Sequence, residues 1–544
     1  MGKVYGALGP AGTGKTTFGT RLAREKVAQF GPAKTGYLAF TKAAAFEAID
    51  RTGGTKDDFP YWRTIHALCY RMVKGYDHDL RVIGPSDFKK FAKETGLDGA
   101  YSVGEWEDMA EVLNSLQNQG KTEWDACKTA YTLSRLTARS VAELDRAKTV
   151  IAPLAIRRLG RIEGPSYRAF VRLYDDFRKK NGLIDFTDML EFPLRAGQTI
   201  DLPFVVVDEA QDLCPLHYAI LEQLFPDAEL WYVGDDDQAI YGWSGASADE
   251  FLNHIENKTK VILRQTNRFG QGIVDFSSTI IRRVKRRIEK NVIGVAGKTG
   301  RADLIGTFRP SAVPGFILHR HVLGCYEIAK LFLTAGIPFV NERGKDPLSS
   351  TNRVKAYSAI PPLAGGGKVL AGKAMILVDE LMPSVYEHGG EKTRFVQHGG
   401  KKRIAELNPN HEFTLDDLIE KRILTREGAA AIRERRFRAM KHSDDLDYYD
   451  RVLKNGYSLD QTNVPVITTI HGSKGRQAPH VTIFSEASRR CWEDPDSEHR
   501  LAYVAATRTE GDLSICVDRR VSWANSPYSY PVEKSSLTPE EVSV

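Results

Sequence analysis

Short apolar runs, each closed by a glycine or an acid, recur along this chain. "VYGAL" (4–8), the centre of "LPFVVVDEAQD" (202–212) and "ELWYVG" (229–234) are apolar without alternation. That is the pattern of strands buried on both faces of a parallel sheet. "TFGTRLAREKVAQF" (17–30) instead repeats its apolar positions at helical spacing. A second group of strands is expected at "KVIL" (260–263), "GFILH" (315–319), "VPVITTI" (464–470), "HVTIF" (480–484) and "DLSICV" (512–517). Helical patterns fill the intervals at "PSDFKKFAKETG" (85–96), "VGEWEDMAEVLNSLQNQ" (103–119), "YRAFVRLYDDFRKKNG" (167–182), "TLDDLIEKRIL" (414–424) and "EGAAAIRERRFRAMK" (427–441). Strands alternating with helices predict an α/β fold with parallel sheets.

The first strand runs into "GPAGTGKT" (9–16) and then into the helix, the context that a GxxxxGK[ST] phosphate loop requires. Gly9, Gly12 and Gly14 let backbone N–H groups converge on phosphates, with Thr13 and Thr17 alongside and the helix N-terminus adding positive charge. Lys15 is expected to reach the β- and γ-phosphates and Thr16 to bind Mg²⁺. Two carboxylates follow "FVVV" at the strand end where open α/β sheets bind ligands. Asp208 is suited to holding Mg²⁺, and Glu209 to orienting and deprotonating an attacking water. The next strand opens into "GDDDQAIYGWSGA" (234–246). Asp235 to Asp237 are expected beside the same nucleotide, with Gln238 sensing the γ-phosphate. Tyr241 and Trp243 are placed to stack nucleobases, a contact that tolerates any base.

In this order the pieces resemble a superfamily 1 DNA helicase of the UvrD/Rep/PcrA type, over residues 4 to about 517. The further motifs are "LAFTKAAA" (38–45), "TIHALCYR" (64–71), "IDFTDML" (184–190), "LRQTNRF" (263–269), "TTIHGSKGRQAPHV" (468–481) and "EHRLAYVAATR" (498–508). The resemblance implies two RecA-like P-loop NTPase domains, each interrupted by a largely helical or mixed insert. The first spans 1–81 and 184–260, with a helical insert at 82–183. The second spans 261–343 and 464–544, with a mixed, compact insert at 344–463. It implies ATP and Mg²⁺ as cofactors, and 3′→5′ movement along single-stranded DNA of about one nucleotide per cycle. Arg268 and Arg508 are implied as arginine fingers carried by the second motor domain. Phe40, Thr41, Thr64, His66, Tyr241 and Trp243 are implied to face single-stranded DNA, with Thr469, His471 and Lys474 gripping it from the second motor domain.

Departures from the family pattern concern base and sugar. No glutamine element precedes Gly9, Asn267 stands where a base-stacking Tyr is usual, and Gln477 replaces a ribose-contacting Glu. Weak discrimination between ATP and other purine triphosphates is therefore expected. Gly242 and Ser244 replace two arginines beside the stacking rings. The compact inserts and missing leader fit a phage-encoded version. Alternative readings are a single-strand translocase that displaces proteins but unwinds poorly, and a nucleotide-switched DNA-binding module.

Composition narrows the setting. Lys and Arg number 76 against 70 acids in 544 residues, a formal +6, which permits a nucleic-acid partner without demanding one. Six scattered cysteines with no CxxC pair argue against a structural zinc or a disulfide framework. With no signal pattern or apolar span, a cytoplasmic protein is expected, in a bacterial cell or a phage-infected host. Single-stranded DNA and DNA junctions are the expected partners of a monomer or weak oligomer. "HRH" (319–321) lacks the further ligands a zinc site needs. The basic runs "RRVKRRIEK" (282–290) and "RERRFRAMKH" (433–442) are read as solvated helix faces, with a phosphate-tracking patch as the alternative. The polar tail "SSLTPEEVSV" is expected to be loose.

Overall fold

The computed structural model describes residues 2–97, 123–139, 165–341, 344, 356–386, 392–434, 446–459, 461–486, 494–517 and 528. Two compact units emerge. One is built mainly from Met1–Arg301 and Ala487–Thr507, the other from Ala302–Glu486 and Arg508–Ser526.

The first unit is organised by a six-stranded parallel sheet. Its strands are β1 (Val4–Leu8), β2 (Thr35–Ala39), β3 (Trp62–Thr64), β4 (Phe204–Val207), β5 (Glu229–Gly234) and β6 (Thr259–Ile262), in the order β3-β2-β4-β5-β1-β6. Every residue of β2 and β4 is buried, whereas β6 at the edge alternates between exposed and half-buried positions. The gradient follows from helices covering both faces of the central strands. Apolar residues pack on each face, with Leu38, Val205 and Val207 on one and Tyr37, Phe204 and Val206 on the other.

Within this unit, helices Pro85–Thr95, Glu123–Thr137 and Pro165–Lys180 share a separate core of Phe88, Phe91, Leu133, Phe170 and Tyr174. The expected helix at 103–119 lies outside the described residues. "IDFTDML" anchors this bundle. Arg135 meets Asp185 at 3.0 Å, Asp188 at 2.6 Å and Glu191 at 2.8 Å, and Arg178 pairs with Asp175, Asp185 and Asp188.

The second unit carries a five-stranded parallel sheet of β7 (Ala302–Ile305), β8 (Phe316–His319), β9 (Val466–Thr469), β10 (Val481–Phe484) and β11 (Leu513–Cys516), in the order β9-β8-β10-β11-β7. One continuous core joins Ile317 and Ile467 of this sheet to Phe332, Leu363, Leu377, Ile423 and Val452. Among the described residues, 356–452 therefore shares the core of the second sheet.

Two sequence expectations change. "KVIL" does not enter the second sheet, because β6 pairs with β1, with Tyr5 opposite Thr259 and Leu8 opposite Ile262. β7, which the apolar pattern passed over, takes the place at the second sheet's edge. The units also divide at residue 301 rather than 260. The segment after β6 stays with the first unit because its backbone bonds there: Leu263 N donates to Leu8 O at 2.8 Å and Asn267 N to Gly12 O at 2.8 Å. The second basic run and the C-terminal tail lie largely outside the described residues. Arg433, the described member of that run's start, pairs with Asp416 at 2.6 Å.

Candidate functional site

β1 and β5 end side by side, and the phosphate loop leaves from that point. Gly9 N donates to Gly234 O at 3.1 Å, fixing the loop's start to the end of β5. Gly12 and Gly14 adopt φ of 75° and 78°, the left-handed region open to glycine. Thr13 closes the turn with its hydroxyl on Pro10 O at 2.8 Å. The helix Lys15–Phe30 follows with no acid in its first turn, which leaves its N-terminal field intact. Lys15 is buried at the helix start, and Thr17 accepts a 3.0 Å bond from Arg51.

Asp208 is 1% exposed at the end of β4. Tyr37 donates its hydroxyl to the carboxylate at 2.7 Å, and Glu209 N donates to it at 2.9 Å. Burial, then the nearby Glu209 charge, pushes the carboxyl up to about 6, against the pull of bonds from Tyr37 and Thr16 and the charge of Lys15. This donor set fits Mg²⁺. A carboxylate, the Thr16 hydroxyl and an adjacent second carboxylate form a hard oxygen corner that a divalent cation would neutralise, the other positions falling to phosphate and water. Among the described residues no group of three or more His, Cys, Asp or Glu forms a metal cluster, as such a shared site requires none.

Glu209 takes a left-handed φ of 53°, unusual for a non-glycine residue. Its carboxylate accepts from Gln211 Nε2, while Gln211 Oε1 accepts from Asp235 N at 2.9 Å. Gln211 is wholly buried and joins the ends of β4 and β5. Gln238 in turn donates Nε2 to Asp235 Oδ2 at 2.6 Å.

The three-carboxylate run does not turn to the nucleotide as expected. Asp235, Asp236 and Asp237 are at most 1% exposed and surround the Lys290 ammonium at 3.1, 2.6 and 2.9 Å. Arg287 adds a bidentate pair on Asp237 at 2.8 and 2.7 Å. The basic run 282–290 is therefore neither a solvated helix face nor, at these two positions, a phosphate-tracking patch. The preceding helix ends at Ile281, and the run folds over the acids. Arg286, by contrast, points outward to Asp249 and Glu256.

Arg268 also belongs to the first unit. Thr266, fully buried, donates its hydroxyl to Ala11 O at 2.9 Å, and Arg268 Nη1 donates to Thr507 O at 2.8 Å. A Cβ on Gly12 would stand 2.6 Å from Arg268 Cβ, so the segment lies directly on the phosphate loop. The expectation that Arg268 rides on the second domain is corrected, because Arg268 and its partner Thr507 both fall in the first unit. Helix Pro495–Ala506 joins the same cluster through Arg500, which donates to Asp236 O at 3.0 Å.

Phe40 stacks on Tyr241 with centroids 6.0 Å apart and planes 10° from parallel, and Trp243 meets Tyr241 edge-on at 6.0 Å. All three rings are half-buried, which leaves part of this platform open. Thr41 and Thr64 are helix N-caps, each accepting at 3.2 Å from the backbone N–H three residues on. His66 packs against Phe186 and His217, and burial lowers its ring to about 4, so it is neutral at physiological pH.

Arg508, Gln477, Thr469, His471 and Lys474 belong to the second unit. Arg508 is buried, donating to Arg476 O at 3.2 Å, and Gln477 pairs with Glu510. Thr469 accepts from Gly472 N at 3.1 Å and shapes the turn that holds His471 and Lys474.

Known proteins bear on this arrangement. The model of the UvrD/REP helicase N-terminal domain matches residues 6–259, the stretch from the phosphate loop through the stacking rings to β6. Residues 6–259 are thus similar to the N-terminal domain of UvrD/REP helicases. A probable DNA helicase II homolog of Mycoplasma capricolum is 22% identical, covering 98% of this chain and 83% of the relative. DNA helicase II of Escherichia coli is 25% identical over 52% of this chain and 39% of its own length. The ATP-dependent DNA helicase PcrA of Staphylococcus epidermidis is 24% identical, again over 52% of this chain and 38% of its own length. The chain thus spans under half of the latter two. An arterivirus nonstructural protein 10 helicase solved with DNA is similar at a TM-score of 0.32 and 11% identity, over 95% of this chain and 61% of that one.

Sequence reasoning missed Gln211, Tyr37, Thr266, Arg287, Lys290 and Arg500. Gln211 stood in view within "DEAQD". Thr266, Arg287, Lys290 and Arg500 also lay within quoted stretches, but they and Tyr37 act through partners distant in sequence that no local pattern names.

Proposed function

We propose that this chain is an ATP-dependent DNA helicase or translocase that moves 3′→5′ on single-stranded DNA. One observation carries the reading: a single short loop joins the phosphate side to the stacking platform. Gln238 is tied to Asp235 at the end of β5, and three residues later Tyr241 stacks on Phe40. Three residues span about 10 Å at most, so a shift at Gln238 is felt at Tyr241.

In this reading Lys15 and the loop N–H groups bind the triphosphate. Thr16 and Asp208 hold Mg²⁺, which supplies charge neutralisation on the phosphates. Glu209 orients the water and takes its proton, while Gln238 contacts the γ-phosphate. Arg268 and Arg508 offset charge spreading over the transferred group. Phe40, Tyr241 and Trp243 stack bases, and Thr469, His471 and Lys474 hold the strand from the second unit. A single-strand translocase that displaces proteins and unwinds poorly is the second reading. It is favoured by the described residues within 356–452, which share the core of the second sheet.

The test is hydrolysis of ATP and GTP with and without a single-stranded oligonucleotide, with Glu209→Gln as blank. Stimulation by DNA that the blank lacks supports a motor, and duplexes with 3′ or 5′ tails then separate the readings. Turnover at the blank's level while DNA is bound overturns the motor and leaves a nucleotide-switched binder. Preference for ATP over GTP is expected below about tenfold, or ~1.4 kcal/mol, given Asn267 and Gln477.

A further inference from the structure

The Lys290 ammonium has three N–H donors and faces three carboxylates, one each from Asp235, Asp236 and Asp237. Its side chain has no exposure. Each carboxylate is completed from elsewhere. Asp235 accepts Gln238 Nε2 at 2.6 Å and Asp237 N at 3.2 Å. Asp236 accepts Ile288 N at 3.0 Å, and Asp237 accepts the Arg287 fork. Lys290 and Arg287 pair directly with these carboxylates, whereas Arg500 reaches only the Asp236 backbone O, so losing Lys290 would strip Asp235 and Asp236 of their ion-pair partner. Burial already raises the Asp236 carboxyl against the opposing charge of Lys290, with Asp237 and then Asp235 adding to the rise. Asp237 is held below the usual range because Lys290 and Arg287 together overcome its burial.

Asp235 is the joint of this cluster. Its backbone N is held by Gln211, the residue that also holds Glu209, and its carboxylate holds Gln238. The groups read as acting on the water and on the γ-phosphate are thus both referenced to Asp235. Lys290 fixes the carboxylate half of that reference.

We propose that Lys290 is a positioning residue for nucleotide hydrolysis, clamping Asp235 so that Gln238 and Glu209 keep register across the ends of β4 and β5. This rests on the hydrolytic role given above to Glu209 and Gln238. The Lys290 side chain is wholly enclosed by protein, so its loss should lower kcat and spare nucleotide affinity. A planar Arg fork does not reproduce three divergent donors.

The test compares wild type, Lys290→Met, the charge-compensated pair Asp236→Asn with Lys290→Met, Glu209→Gln as blank and Arg286→Ala as an exposed control from the same run. Thermal melting, equilibrium affinity for a fluorescent ATP analogue with Mg²⁺, and kcat are read for each. The compensated pair should melt cooperatively within about 10 °C of wild type and bind nucleotide within about threefold. Its kcat should fall at least about tenfold, as small displacements of reacting groups do. Arg286→Ala should stay near wild type. A compensated pair with kcat within about twofold of wild type overturns the proposal, as does a loss confined to affinity. If that pair does not fold, Asp235→Asn carries the test by the same two criteria. Wild-type turnover no higher than the blank would instead refute the hydrolytic reading, and the inference with it.

Discussion

Replacing Asp208 with Asn should make the nucleotide-free, Mg²⁺-free protein more stable at pH 7.5 while abolishing hydrolysis. The carboxyl stands at about 6 in the folded chain against an ordinary 3.8, chiefly through burial and then through Glu209. At about 1.4 kcal/mol per pH unit, that gap is a penalty of ~3 kcal/mol on the ionised, folded form. The sign follows from proton binding. Between 3.8 and 6 the folded state holds the proton that the unfolded state has released, so stability falls as pH rises through this window. Below 3.8 both states are protonated and the penalty is gone. Asn removes the charge and keeps an acceptor for Glu209 N, but weakens the Tyr37 bond by about 1 kcal/mol. A net gain of ~2 kcal/mol is expected at pH 7.5, turning into a loss of ~1 kcal/mol near pH 4, where only the weakened Tyr37 bond remains. Urea denaturation followed by tryptophan fluorescence measures it, since Trp62 is buried in the first unit and contributes to the signal. A variant no more stable than wild type at pH 7.5, or a difference constant from pH 4 to 8, would refute the reasoning.

Two further outcomes follow from the same geometry. Tyr241→Ala removes the ring stacked on Phe40, and should weaken single-strand affinity by ~1–3 kcal/mol with DNA-free hydrolysis unchanged, as fluorescence anisotropy and a phosphate-release assay would register. Arg135→Met leaves Asp185, Asp188 and Glu191 short of a buried cation, and should destabilise the first unit by ~3–5 kcal/mol, read as a lower denaturation midpoint.

The order of strand, glycine turn and helix at 4–30 was legible because it is local. Backbone freedom at Gly12 and Gly14, an acid-free helix start and an apolar strand are all written within a few neighbouring residues. The same holds for Asp208 and Glu209 at the end of β4, and for the rings of the loop after β5. Apolar runs likewise located four of the five strands of the second sheet, but they could not say which sheet "KVIL" joins. An apolar strand carries no label for its neighbour, and β6 is assigned by its hydrogen bonds to β1. Tertiary structure alone decided the fate of the charges. A run such as "RRVKRRIEK" has the same composition whether it faces water or a buried counter-charge, and Lys290 meets its partners across more than fifty residues of chain. Burial is a property of the folded surroundings, so the sequence determined which groups are present, and packing determined that three acids would serve one lysine and that Arg268 would lie on the phosphate loop.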